Sequence, residues 1–242
     1  MKIPLAEHFH SIQGEGQWVG TPMHFVRLPG CSVGRHIVPG WSEVQTPERP
    51  PLLPTGKPAW LCHSFNSTPF WCDTDFGKYK EMEGEELLDQ TWENHICLTG
   101  GEPLIHKEVV NFFRTQCQIH EKQLHIETSG TIDFWWEAER REVYDPSREW
   151  ITVSPKQRWT PYMVHHADEL KLLISAAHDM YTTVDPAFLS HPNVYLSPIN
   201  RVGSTHGAEE IDQQSLALCQ EILRHFPHWK LSVQLHKYLG VR

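Results

Sequence analysis

Nowhere in this chain do about 18 apolar residues follow one another, so no helix of bilayer-spanning length is encoded. The opening residues, Met1-Lys2-Ile3-Pro4-Leu5-Ala6, lack the apolar core of a secretory signal, and a cytoplasmic protein is expected. Positive charge is scarce. Against 30 Asp and Glu stand 21 Lys and Arg, a formal net charge of −9 with histidine neutral. That balance excludes a broad phosphate-binding surface, so neither nucleic acid nor membrane is an expected partner. Internal repeats and low-complexity tracts are missing as well. What remains, at 242 residues, suits a single domain over 1–242 that acts on a small molecule.

Short apolar runs alternate with amphipathic stretches. Strands are expected at 23–28, 95–98, 123–127, 150–154, 169–174, 193–197 and 230–235, and helices at 84–92, 106–118, 179–190 and 208–226. Such alternation implies parallel βαβ units in a barrel or a doubly wound sheet. The segment 32–71 breaks the pattern. Its prolines, among them Pro39, Pro47, Pro50, Pro51, Pro54, Pro58 and Pro69, forbid a long helix or a central strand, so an irregular insertion is expected there.

Two loops carry chemistry. Thr99-Gly100-Gly101-Glu102-Pro103 and Glu127-Thr128-Ser129-Gly130-Thr131 each follow an apolar strand, where parallel α/β folds place their ligands. Six cysteines divide into two kinds. Cys97 lies inside an apolar strand, and Cys117 and Cys219 fall on apolar helix faces; these are core residues. Cys31, Cys62 and Cys72 lie in loop-like sequence and are candidate metal ligands. Thirty residues separate the first two and nine the last two. On spacing alone they suit a zinc site completed by a histidine.

Further runs narrow the choice: Ser11-Ile12-Gln13-Gly14-Glu15-Gly16, Phe25-Val26-Arg27-Leu28-Pro29-Gly30-Cys31, Cys72-Asp73-Thr74, Ser154-Pro155-Lys156, Asp168-Glu169-Leu170-Lys171 and His236-Lys237-Tyr238-Leu239-Gly240. In this order, from residue 8 to residue 242, they resemble the 7-carboxy-7-deazaguanine synthase family of radical S-adenosylmethionine (SAM) enzymes. A glycyl-radical activase would share the Gly-Gly-Glu-Pro run but not the others. The resemblance implies a partial (β/α)6 barrel of the TIM type with a long Pro-rich insertion in its cluster-binding loop. It also implies a [4Fe–4S] cluster held by three thiolates, with one iron left for SAM. Here the usual C-x3-C-x2-C spacing is stretched, with Cys62 between Cys31 and Cys72; His36 or His63 is the alternative to Cys62. Widening a loop from about 3 to about 30 residues adds only about 2 kcal/mol of closure entropy, which cluster ligation can offset.

The remaining assignments also follow from the resemblance. Thr74 would ligate a Mg²⁺ that touches substrate. The substrate would be 6-carboxy-5,6,7,8-tetrahydropterin, its carboxylate held by the Arg27 fork and its ring edge by Ile12, Gln13, Gly14 and Glu15. Thr99, His236 and Arg242 would be further substrate contacts. SAM would meet Trp71, Asp73, Gly101, Glu102, Ser129, Ser154, Pro155, Lys156, Ser197, Pro198, Ile199 and Asn200, although Ser197 stands where the family carries Gln. The implied reaction is hydrogen abstraction by a 5′-deoxyadenosyl radical, ring contraction and loss of ammonia. A flavodoxin or ferredoxin would deliver the electron, and the enzyme would be a homodimer.

Overall fold

A computed structural model of the protein describes residues 1–33, 52, 56, 59–65, 69–72, 74, 79–133, 146–176, 185–199 and 211–241. Its strands are β1 (Lys2–Leu5), β2 (Glu7–Ile12), β3 (Pro22–Leu28), β4 (Trp60–His63), β5 (Pro69–Cys72), β6 (Lys80–Glu83), β7 (His95–Gly100), β8 (Gln123–Thr128), β9 (Glu149–Val153), β10 (Glu169–Ile174), β11 (Val194–Pro198) and β12 (Lys230–Leu231). The helices are α1 (Gly84–Asp89), α2 (Lys107–Ile119), α3 (Pro161–His166), α4 (Pro186–Leu189), α5 (Gln213–His225) and α6 (Leu235–Leu239).

Eight strands form one sheet in the order β12-β11-β10-β9-β8-β7-β3-β2. Each pairing from β3 to β12 is parallel; the edge strand β2 alone runs antiparallel, against β3. Two small antiparallel pairs, β1 with β6 and β4 with β5, stand apart from it. The two edges of the large sheet are drawn together by loop contacts. Leu235 N donates to Gly14 O at 3.0 Å, and Gly16 N donates to Ser232 Oγ at 2.9 Å.

Six expected strands form within two residues of their expected limits, and α2 matches the expected 106–118 helix to within one residue at each end. Elsewhere the chain departs from the pattern. The 230–235 strand pairs only over Lys230–Leu231, because Leu235 turns to bond Gly14 and opens α6. Helix α1 stops at Asp89. Helix α5 begins at Gln213, where the Asp212 carboxylate accepts from Ser215 N at 2.7 Å and caps it. Of the expected 179–190 helix, Pro186–Leu189 is helical; residues 177–184 and 200–210 lie outside the described residues.

Strand periodicity explains where the core and the site fall. Successive side chains point to opposite faces. Val26, Leu28, Ile96, Leu98, Leu124, Ile126, Ile151, Val153, Leu170 and Leu172 point one way and pack with Val109, Phe113 and Cys117 of α2 and Cys219 of α5. The alternate residues, Phe25, Arg27, Cys97, Thr99, Glu127, Thr152, Lys171 and Ser197, point the other way. At the amino ends this inner face is filled by Trp18, whose ring lies 5.2 Å from His95, 5.2 Å from His125 and 5.6 Å from Trp150. At the carboxyl ends it is polar and open.

Candidate active site

Two cavities share that polar end. The first, about 340 Å³, is lined by Glu7, Phe9, Ile12, Gln13, Gly14, Glu15, Phe25, Arg27, Thr74, Thr99, Gly100, Glu127, Gln234 and His236. The second, about 230 Å³, is lined by the three loop cysteines with Gly101, Ser129, Ser154, Lys156, Lys171, Ser197 and neighbouring residues. Glu15, Thr99, Gly100, Glu127 and Gln234 border both, so the cavities are contiguous.

Every described residue expected to touch a substrate lines the first cavity, and Thr74 lies there too. Of the residues expected around SAM, Gly101, Ser129, Ser154, Lys156 and Ser197 line the second. Pro155, Pro198, Ile199 and Glu102 do not. Nor does Trp71, which lies between Phe70 and Cys72 on β5 and so faces away from the cavity that both neighbours line. Asp73, Asn200, Arg242 and His36 lie outside the described residues.

The cysteines arrive on two separate supports. Cys62 and Cys72 sit on the β4–β5 hairpin, which docks on the exit of β9 through the Ser64–Lys156 bridge and the bond from Gln157 N to His63 O, 3.1 Å. Cys31 follows β3. Its loop is fastened by Ser32 Oγ to Thr131 Oγ1 at 2.6 Å and by Arg158 to Ser32 O at 2.9 Å. His63, next to Cys62 on β4, does not line the cavity. Cys97, Cys117 and Cys219 are buried in the core; burial pushes the thiols of Cys117 and Cys219 up to about 12, and they are inert there.

Glycine is required where the loops meet. A Cβ on Gly101 would stand 1.4 Å from the backbone oxygen of Gly30, directly before Cys31. A Cβ on Gly14 would stand 1.8 Å from His236 Nδ1. The first close approach seats the Cys31 loop on the Thr99–Pro103 turn, and the second seats α6 on the Gln13–Glu15 loop. Glu102 completes the first junction. Fully buried, its carboxylate accepts from Leu104 N at 3.1 Å, Thr128 Oγ1 at 2.7 Å, Ser129 N at 2.9 Å and Ser129 Oγ. In this arrangement it holds two loops together rather than facing the cavity.

A charge network spans the shared wall. Lys171 Nζ lies 2.8 Å from Glu15 Oε2 and 3.7 Å from Glu127 Oε1. Glu127 also accepts from Thr99 Oγ1 at 2.9 Å and Gln13 Nε2 at 3.1 Å. Burial opposes the charge on Glu127, but Lys171, these two donors and Arg27 outweigh it and hold its carboxyl at about 2. Burial likewise opposes the Lys171 ammonium, which the carboxylates of Glu127 and Glu15 push above the ordinary lysine value. Arg27 donates through Nε to Glu7 Oε1 at 2.9 Å and through Nη1 to Thr74 Oγ1 at 3.2 Å, leaving its fork along the cavity wall. Ser197 Oγ reaches Glu15 Oε1 at 3.5 Å.

Sequence reasoning singled out neither Lys171 nor Glu7 and Gln234 as site residues. For Lys171 a signal existed: a charge between Leu170 and Leu172 in an apolar strand must face a partner.

No family model matches the chain. Curated relatives do. A 7-carboxy-7-deazaguanine synthase from Flavobacterium psychrophilum is 29% identical over 245 residues, covering 99% of this chain and 92% of its own. One from Synechocystis is 29% identical over 254 residues, covering 100% and 95%. The crystal structure of QueE from Escherichia coli superposes with a TM-score of 0.60 at 25% identity, covering 98% of this chain and 95% of that one. Over nearly its whole length, then, the chain is similar to 7-carboxy-7-deazaguanine synthases. It is therefore an enzyme of the radical SAM type, with a mixed α/β fold and a largely parallel sheet like that of QueE. No helix among the described residues is long and apolar enough to cross a membrane.

The residues present fit the cofactors that the 7-carboxy-7-deazaguanine synthase family uses. Three thiols from two supports line one cavity, and the Gly100–Gly101 backbone borders the same space. Three sulfur ligands leave one position open on a four-iron cluster, as an open catalytic metal site requires.

Proposed function

We propose that this enzyme converts 6-carboxy-5,6,7,8-tetrahydropterin to 7-carboxy-7-deazaguanine with loss of ammonia, at the junction of the two cavities. One observation carries the reading. The thiol-lined cavity and the cavity bearing Arg27, Gln13 and Glu15 have five wall residues in common, so a cofactor in one would meet a substrate in the other.

Cys31, Cys62 and Cys72 would hold a [4Fe–4S] cluster, and Gly101, Ser129, Ser154, Lys156 and Ser197 would line the SAM seat, with Asp73 and Asn200 proposed beside it. When bound, cluster and SAM together supply hydrogen-atom abstraction from a carbon centre. The chain's own residues bind and orient. Arg27 presents its planar fork to the substrate carboxylate. Glu127 and Glu15 are acceptors for the N–H edge of the pterin, and Lys171 pairs with both and favours the ionised form of Glu127. Thr99 and Gln13 fix the Glu127 rotamer, so the acceptor is set before substrate arrives. Thr74 would offer one oxygen to a Mg²⁺ that completes its shell with substrate and water.

The seat itself is a single-domain partial (β/α)6 barrel; of the Pro-rich insertion of 32–71, the described part contributes β4 and most of β5, and most of the rest lies outside the described residues. A cytoplasmic homodimer reduced by flavodoxin or ferredoxin fits this chemistry. Anaerobic incubation of the reconstituted enzyme with SAM, reductant, Mg²⁺ and the carboxytetrahydropterin tests it: 7-carboxy-7-deazaguanine should appear by mass. A cluster-loaded protein that cleaves SAM yet leaves the pterin unchanged would refute the substrate assignment.

A further inference from the structure

On the opposite face of β2 and β3 from Arg27 lies a second set of ligating groups. His8 and His10 alternate with Phe9, whose ring stacks on Phe25 at 5.2 Å on the inner face. His10 pairs with His24 across the strands, their rings stacked at 4.4 Å. Glu93, from the turn before β7, places Oε1 2.7 Å from His10 Nδ1. Ligand atoms of His10, His24 and Glu93 all lie within 4.8 Å of one another, the one such set of three found among the described residues.

Two further observations point to a bound cation. Glu93 is 3% exposed, and its second oxygen, Oε2, is buried with no hydrogen-bond partner. A buried carboxylate oxygen left unpaired is costly, and a ligand would remove that cost. The ammonium of Lys122 is directed at the backbone oxygens of Thr91 and Glu93. The second observation concerns the His24 tautomer. Thr91 Oγ1 donates to Leu87 O at 3.0 Å, so it accepts from His24 Nδ1–H at 2.6 Å. That fixes the lone pair of His24 on Nε2, where it accepts from His8 Nδ1–H at 3.1 Å; a metal ion would take the place of that donor. A metal-ligating histidine characteristically donates its other N–H to such a partner.

We propose that His10, His24 and Glu93 form a divalent transition-metal site of the zinc class on the outer face of the sheet edge. Two imidazoles and a carboxylate suit zinc, with water taking the fourth position on the solvent side of His10. The ion would clamp the edge strand β2 to β3 and to the turn that feeds β7. It stands apart from both cavities and does not depend on the deazaguanine reading.

The test is calorimetric titration of Zn²⁺ alone into the full chain in two forms. One is the cluster-loaded protein, whose loop thiols are occupied; the other carries Cys31→Ser, Cys62→Ser and Cys72→Ser together. One zinc per chain is expected in both. Co²⁺ in its place should give the visible bands of nitrogen and oxygen ligation without thiolate charge transfer. Glu93→Gln and His10→Ala should each weaken Zn²⁺ by at least the roughly 10–100-fold seen when a mere outer partner is lost. The His10 side chain is 34% exposed, so His10→Ala keeps the fold and decides the matter if Glu93→Gln does not. Zinc that binds only when the three cysteines are present, or with equal affinity in folded His10→Ala, overturns the proposal.

Discussion

Replacing Lys171 with Met removes the cation that two enclosed carboxylates share while keeping the length of the side chain. The side chains of Lys171 and Glu15 are each 12% exposed and that of Glu127 24%, so solvent screens this network only weakly. Glu127 is held at about 2 against an ordinary 4.5, which corresponds to about 3 kcal/mol of stability. Independently, leaving a buried charge without its partner costs about 3–5 kcal/mol. Because the folded carboxyl is depressed, its contribution is complete above about pH 4.5 and disappears as pH falls toward 2. The variant should therefore be about 3 kcal/mol less stable at pH 7, and the gap should close with acidification. With a urea slope of about 3 kcal/mol per molar for a chain of this size, that is a midpoint shift of about 1 M. Anaerobic urea titrations of the reduced, cluster-free full chain, followed by tryptophan fluorescence from pH 7 to pH 3, measure it. A midpoint shift of only a few tenths molar at pH 7, or a gap that does not narrow in acid, would refute the account of the network.

Cys62→Ala should abolish cluster assembly, read as bound iron and sulfide, whereas Cys117→Ala, which empties a core position remote from both cavities, should retain it. Arg27→Ala should raise KM for the carboxytetrahydropterin by about 10–100-fold, the loss of one charge-assisted pair of about 1.5–3 kcal/mol, with SAM cleavage still detectable. Arg27→Lys should recover only part of it, since an ammonium lacks the bidentate fork.

The parallel strands β3 and β7 to β11 were legible because each is largely buried and reads as a short apolar run. Edge strand β2 was not. Its Glu-His-Phe-His-Ser-Ile sequence puts histidines where alternation would show apolar residues, and those histidines meet Glu93 and His24 rather than a helix. The loops were legible for a different reason: Gly101 and Gly14 permit approaches that no other residue allows, so their runs carry a fixed signature. The carboxylate network left a fainter trace. Glu15, Glu127 and Lys171 come from three distant segments, and no local pattern records that they meet. Cys62 lay between these cases, since its interval fits no motif and its place follows from the hairpin's docking on the β9 exit.

Core and site are bound to one register. On β3, Val26 and Leu28 face the helices while Phe25 and Arg27 face the cavity, and Arg27 stands beside Thr99 of β7. A slip of one residue would send Arg27 into the apolar layer and bring Leu28 to the cavity wall, exchanging every such pair along the strand. The same apolar residues that make the sheet stable therefore dictate which polar groups converge at its carboxyl end. Substitutions that loosen the packing of Leu98 or Ile126 would disturb Thr99 and Glu127, one residue further along, without touching any ligand. Cys62 and Cys72 escape this coupling, because among the described residues β4 and β5 pair only with each other and reach the site through the Ser64–Lys156 bridge. That independence explains how the interval between Cys31 and Cys62 can lengthen while the strand-borne half of the site keeps its geometry.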